Sequence, residues 1–138
     1  MNKNNKAELY ELLDKLNKAI KENIGHYDLG SPILQNFLSI NDIKIDSLGK
    51  RNIKKYKSQH NFILVNFESA NSKSKITDKA HDVLRHLRNS LAHSLVFQKG
   101  KNEYQLIDKN KADNESMNAL IRKDLLFTLV DEIMGTYH

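Results

Sequence analysis

Ala80, Val83, Leu84, Leu87, Leu91 and Leu95 recur at three- and four-residue intervals, the cleanest apolar stripe in the chain. That spacing builds one face of an α-helix and does not fit the two-residue period of a strand. Whatever the fold, it must bury this face. Thr77 suits the N-cap of the helix, and Asp78 in the first turn complements the positive end of its dipole. The opposite flank carries His81, Arg85, Arg88, Asn89 and Ala92, which suits a second interface rather than the core.

Weaker patterns surround this helix. Leu9, Leu12, Leu13, Leu16 and Ile20 give a first helix over about Lys6 to Ile24, ended by Gly25. Ser31-Pro32 reads as an N-cap followed by proline at the first helical position, opening a short helix through Leu38. Asn41 to Asn52 is polar and reads as a loop. Ile53 to Ala70 fits either period, and its length favours a helix. Asn71 to Lys75 is a polar break. Leu95–Gln98 and Glu103–Ile107 flank Lys99-Gly100-Lys101-Asn102 and predict a small hairpin. Lys109 to Glu115 reads as a loop, Met117 to Ile121 as a strand or the opening of the last helix, and Arg122 to Tyr137 as that helix.

The 138 residues correspond to a single domain over 1–138, large enough for one core. The chain has no cysteine, which excludes a disulfide scaffold and a thiolate metal site. No apolar signal region follows Met1 to Lys6, and no stretch reads as a membrane span, so a cytoplasmic protein is expected. The formal net charge of +5 favours a polyanionic partner without specifying one.

The segment His81-Asp82-Val83-Leu84-Arg85-His86-Leu87-Arg88-Asn89-Ser90-Leu91-Ala92-His93 carries the chemistry. RNA brings its own nucleophile, the 2′-hydroxyl. Its cleavage needs only a base to deprotonate that group and a cation to stabilise the pentacoordinate phosphate. Histidine can act as base or acid near neutral pH, and arginine holds two phosphate oxygens in a planar fork. Such a mechanism requires no metal or cofactor. The sequence also shows no clear carboxylate pair and no His-x-x-x-His spacing.

Arg88 to His93, R-N-S-L-A-H, resembles the Arg, polar residue, three others, His motif of HEPN domains. The preceding L-R-H-L, the following S-L-V-F and Glu103 to Asp108 resemble a bacterial plasmid- and defence-associated HEPN nuclease branch, in which a hairpin follows the motif helix. The close likeness spans roughly Asp78 to Asp108. It implies a mainly α fold: a HEPN-like four- or five-helix bundle with a small β-hairpin after the motif helix. It also implies a metal-independent endoribonuclease working as a homodimer, as a toxin or phage-defence effector, with an antitoxin or nucleotidyltransferase as a further partner. Residue by residue, Arg88 and His93 take the catalytic positions and Asn89 the polar position that orients them. A non-catalytic RNA- or nucleotide-binding module, or a partner-binding subunit, is the alternative.

Five residues separate Arg88 from His93, so on a regular helix they project about 140° apart. Either the helix distorts or ends near Leu91 to His93, or the working site combines groups from two chains. His93 is also favourable at a helix C-terminus on dipole grounds alone, and it is the flanking likeness that favours function. Arg85 and His81 are candidate phosphate or partner contacts on an otherwise solvated flank. In the densest positive run, Lys50 to Lys57, Lys54, Lys55 and Tyr56 are candidate RNA contacts, with Tyr56 as a stacking aromatic; a solvated helix face is the plainer reading. His86 is expected at the surface. His26 and His138 show no useful spacing, and His60 reads as a satisfied, partly buried side chain.

Overall fold

The structure, a computed structural model, describes residues 3–22, 26–67 and 76–138, and the side chains of 6–21, 26–67 and 79–138. In chain order the elements are α1 (Lys3–Glu22), α2 (Pro32–Ile40), β1 (Lys44–Ser47), α3 (Lys50–Tyr56), β2 (Phe62–Val65), α4 (Ile76–Ala92), β3 (Val96–Lys99), β4 (Glu103–Lys109), β5 (Glu115–Arg122) and α5 (Lys123–Met134). The strands form one mixed sheet in the order β1-β2-β5-β4-β3, with β1 parallel to β2 and every other pair antiparallel. The mainly α bundle implied by the HEPN likeness is therefore incorrect. The fold is α/β, and the expected hairpin, β3–β4, is one edge of a five-stranded sheet.

Three segments account for the correction. Lys44–Ser47, inside the expected loop, is the edge strand β1; only Ile45 supplies an apolar cue, and pairing with β2 supplies the rest. Ile53 to Ala70 is not one helix. Its first residues belong to α3, and Phe62–Val65 is a strand buried along its whole length. A strand covered on both faces shows no alternation, so periodicity cannot separate it from a buried helical turn. Met117 to Ile121 lies within β5. Parallel β1 and β2 need a crossover, and α3 provides it.

The sheet has two unequal faces. Ile63, Val65, Tyr104, Leu106, Met117, Ala119 and Ile121 share one core with the buried faces of α1, α2, α4 and α5. Phe62 and Leu64 point the other way, into a small cluster with Tyr56 of α3, flanked by Leu48 and Leu120. The stripe of α4 is buried as expected from Ala80 through Leu87, with Leu91 half-buried. In the last helix Leu125, Leu126, Leu129, Val130 and Ile133 are core. Ser31 occupies the N-cap position before Pro32, but its side chain makes no capping hydrogen bond. The Gly25 helix end, the break at Asn71 to Lys75 and the Thr77 cap lie outside the described residues or side chains. Among the described residues, no helix is long and apolar enough to cross a membrane.

Candidate functional site

Helix α4 is buried on two sides. Its apolar stripe meets the main core, while Asp82, His86 and Ser90, spaced four apart, are also buried. The core-facing alternation of β4, Tyr104-Leu106-Asp108, brings a carboxylate to this second side. Asp108 Oδ2 accepts from His86 Nδ1 at 2.6 Å. His86 was expected at the surface and is 1% exposed, because Asp108 receives the ring's polar atom. A bulge between Asp108 and Lys109 leaves Ser116 opposite no β4 residue, and its Oγ lies 3.5 Å from His86 Nδ1.

A hydrogen-bonded chain runs outward from this pair. Arg85 Nη2 donates to His86 Nε2 at 3.3 Å and approaches Asp82 Oδ1 at 3.4 Å. Asn89 Nδ2 donates to Asp108 Oδ2 at 3.2 Å, while Asn89 Oδ1 accepts from Arg88 Nε at 2.8 Å. Arg88 Nη1 also donates to Asn17 Oδ1 of α1 at 3.3 Å. The half-buried guanidinium is thus gripped from two helices by two of its donors. Its other N–H groups make no hydrogen bond among the described residues.

His93 stands just beyond the end of α4. Leu95 N–H donates to Ser90 O at 2.8 Å and Ser94 N–H to Leu91 O at 3.2 Å, with Ser94 at φ 58. These bonds form a Schellman termination in which His93 is the C-cap and Ser94 the left-handed residue. The helix thus ends between Leu91 and His93, one of the alternatives that the Arg88–His93 spacing left open. The His93 side chain is exposed, and among the described residues it shares no hydrogen-bond partner with Arg88. Beside it lies a groove of about 360 Å³ between α1 and the start of β3, lined by Tyr10, Leu13, Leu91, Ser94 and Val96 among others.

The remaining candidates are not gathered here. His81 is half-buried near the start of α4. Lys54 and Lys55 are exposed on α3, so the sheet stands between them and Arg88. Tyr56 is not available for stacking on a base: its ring is 5% exposed against Phe62 and its hydroxyl donates to Asp46 at 3.2 Å. The sequence reading missed Asp108, His86 and Asn17. Two of these left a signal. A carboxylate at a core position of an alternating strand demands a partner, and Asp82-His86-Ser90 forms a polar row along one helix. Asn17 left none, because a surface asparagine on α1 is unremarkable in sequence.

Comparison with protein-family models, with curated proteins and with solved structures found no match for this chain.

Proposed function

We propose that the protein is an endoribonuclease of HEPN type that cleaves RNA without a metal, through attack of the 2′-hydroxyl on the adjacent phosphate. The observation that carries this reading is the pairing of a braced guanidinium with a solvent-facing imidazole at one helix end. Arg88 is held through Nε by Asn89, and His93 stands exposed at the C-cap. In this reading His93 takes the 2′-hydroxyl proton or gives one to the leaving oxygen, and Arg88 stabilises the phosphorane. The products carry a 2′,3′-cyclic phosphate and a free 5′-hydroxyl, so atoms and charge balance without a further reactant. In this reading the working site is assembled from two copies, as the HEPN likeness implies. A cytoplasmic location, a toxin or defence role and a silencing antitoxin or nucleotidyltransferase partner go with the same reading.

The test is incubation of single-stranded and structured RNA with the protein in chelator, beside Arg88→Ala and His93→Ala. Cleavage by the parent alone, lost when the scissile 2′-hydroxyl is replaced by hydrogen, supports the proposal. Equal cleavage by all three proteins rejects it. That Arg88 and His93 share no hydrogen-bond partner among the described residues also favours a second reading, RNA binding without turnover, whose signature is salt-sensitive affinity with intact RNA recovered.

A further inference from the structure

We infer that Asp108 is a positioning residue for the Arg88 guanidinium, acting through Asn89. The kinetic consequence of this inference rests on the ribonuclease reading above, but its geometry does not. Both Asp108 oxygens are occupied. Oδ2 accepts from His86 Nδ1 at 2.6 Å and from Asn89 Nδ2 at 3.2 Å, and Oδ1 accepts from the Lys109 N–H at 2.9 Å. With its side chain 3% exposed, the carboxylate cannot turn without stranding a buried donor.

This fixes more than a contact. A side-chain amide has a donating end and an accepting end, and either could in principle face Arg88. An ionised carboxylate only accepts, so it commands the NH2 end of Asn89 and turns Oδ1 outward. Arg88 Nε–H then finds an acceptor at 2.8 Å. Were the amide reversed, Arg88 would meet a second donor and lose its grip. The bond from Arg88 Nη1 to Asn17 supports the far side of the guanidinium without setting the direction of Asn89. Asp108 lies twenty residues from Arg88 in sequence and comes from a different element, so its role follows from the sheet, not from the motif.

Asp108→Asn tests this. Asparagine offers one oxygen to three donors, those of His86, Asn89 and Lys109, so Asn89 is no longer held in one sense. Two readouts apply to the full chain. The first is single-turnover cleavage of a single-stranded oligoribonucleotide at saturating protein. The second is the NMR signal of Arg88 Nε–H, assigned by its absence from Arg88→Lys. The expected result is a cleavage rate about 10- to 100-fold lower with unchanged RNA affinity, as for a displaced catalytic group. The Nε–H signal, protected in the parent, exchanges rapidly in the variant. An unaltered Nε–H signal overturns the inference, whether or not the rate falls. Should Asp108→Asn not fold, Asn89→Ala, which leaves the His86–Asp108 pair in place, carries both readouts with the same criteria. Should the parent cleave no RNA, the ribonuclease reading falls and the NMR comparison alone decides the positioning role.

Discussion

Asp108 of β4 and His86 of α4 meet at 2.6 Å across the helix–sheet interface, with side chains 3% and 2% exposed. Apolar packing between α4 and the sheet is strong but non-directional, so it tolerates small rotations and slides of the helix. A single short hydrogen bond between buried groups does not. Because α4 also carries Arg88 and Asn89 and leads directly into His93, the bond fixes where the motif emerges at the surface.

Removing one partner should therefore cost more than removing both. Asp108→Ala leaves the His86 ring nitrogen buried beside an empty space and is expected to destabilise by about 2–4 kcal/mol. Replacing both residues with leucine should recover part of that loss, because the buried His86 ring nitrogen is no longer stranded, while the Asn89 and Lys109 donors still lose Asp108. Urea unfolding of the parent, the single and the double variant checks this. A double variant no more stable than Asp108→Ala would show that the pair is not what makes the single change costly.

Tyr104 offers a pH-dependent test. Its side chain is fully buried, and its hydroxyl has no hydrogen-bond partner among the described residues. Burial first, and the Glu8 carboxylate second, push its phenol above the ordinary value. The unfolded chain therefore loses this proton first as pH rises through about 10. Stabilisation from the neutral phenol is complete below that pH and is lost as pH climbs toward the folded-state value. Tyr104→Phe should raise stability at neutral pH by about 1 kcal/mol, by removing an unsatisfied polar atom. It should also flatten part of the alkaline loss. Tyr56 contributes in the same sense, since its phenol is raised by burial and then by Asp46. Urea unfolding at neutral and alkaline pH measures both effects, and an equal alkaline loss in parent and variant would exclude the contribution of Tyr104.

What was legible in the sequence divides along physical lines. The stripes of α1, α4 and α5 announce themselves because each helix buries an apolar row at three- and four-residue spacing. The β3–β4 hairpin is legible because Gly100 sits in its turn with φ 62, a conformation that favours glycine. Strand β2 is hidden because neighbours on both faces erase its alternation, and β1 because an edge strand of Lys-Ile-Asp-Ser carries almost no apolar signal. The site divides in the same way. Arg88, Asn89 and His93 share one short motif. Asp108 and Asn17 join them only through tertiary packing, and His86 is read correctly only once a carboxylate is known to face it.

The C-cap geometry can be tested through stability alone. Ser94 holds the left-handed conformation of the Schellman turn at φ 58, which strains a residue with a Cβ. Ser94→Gly should stabilise the protein by about 1 kcal/mol and leave the helix end, and His93 with it, in place. A higher thermal midpoint with an unchanged near-UV spectrum is the expected observation. A lower midpoint would mean that the Ser94 side chain contributes more than its strain removes.

Whether the site spans two chains is open to complementation. If each working site pairs Arg88 of one copy with His93 of the other, then Arg88→Ala and His93→Ala are each inactive alone. Their mixed dimer nevertheless retains one site with both native groups, while its second site lacks both. With free exchange of subunits, half of the dimers are mixed and half of their sites are intact, so about a quarter of the parent activity should return. If instead each chain supplies its own Arg88 and His93, no combination of the two variants contains a complete site, and mixing restores nothing. Cleavage of a single oligoribonucleotide by each variant and by their equimolar mixture after exchange separates the cases. Arg88→Lys adds a control on chemistry: mixed with His93→Ala it should recover the same quarter, because the restored site takes its native Arg88 from the His93→Ala chain, whereas Arg88→Lys alone, which keeps the charge but not the planar fork, should cleave far more slowly than the parent.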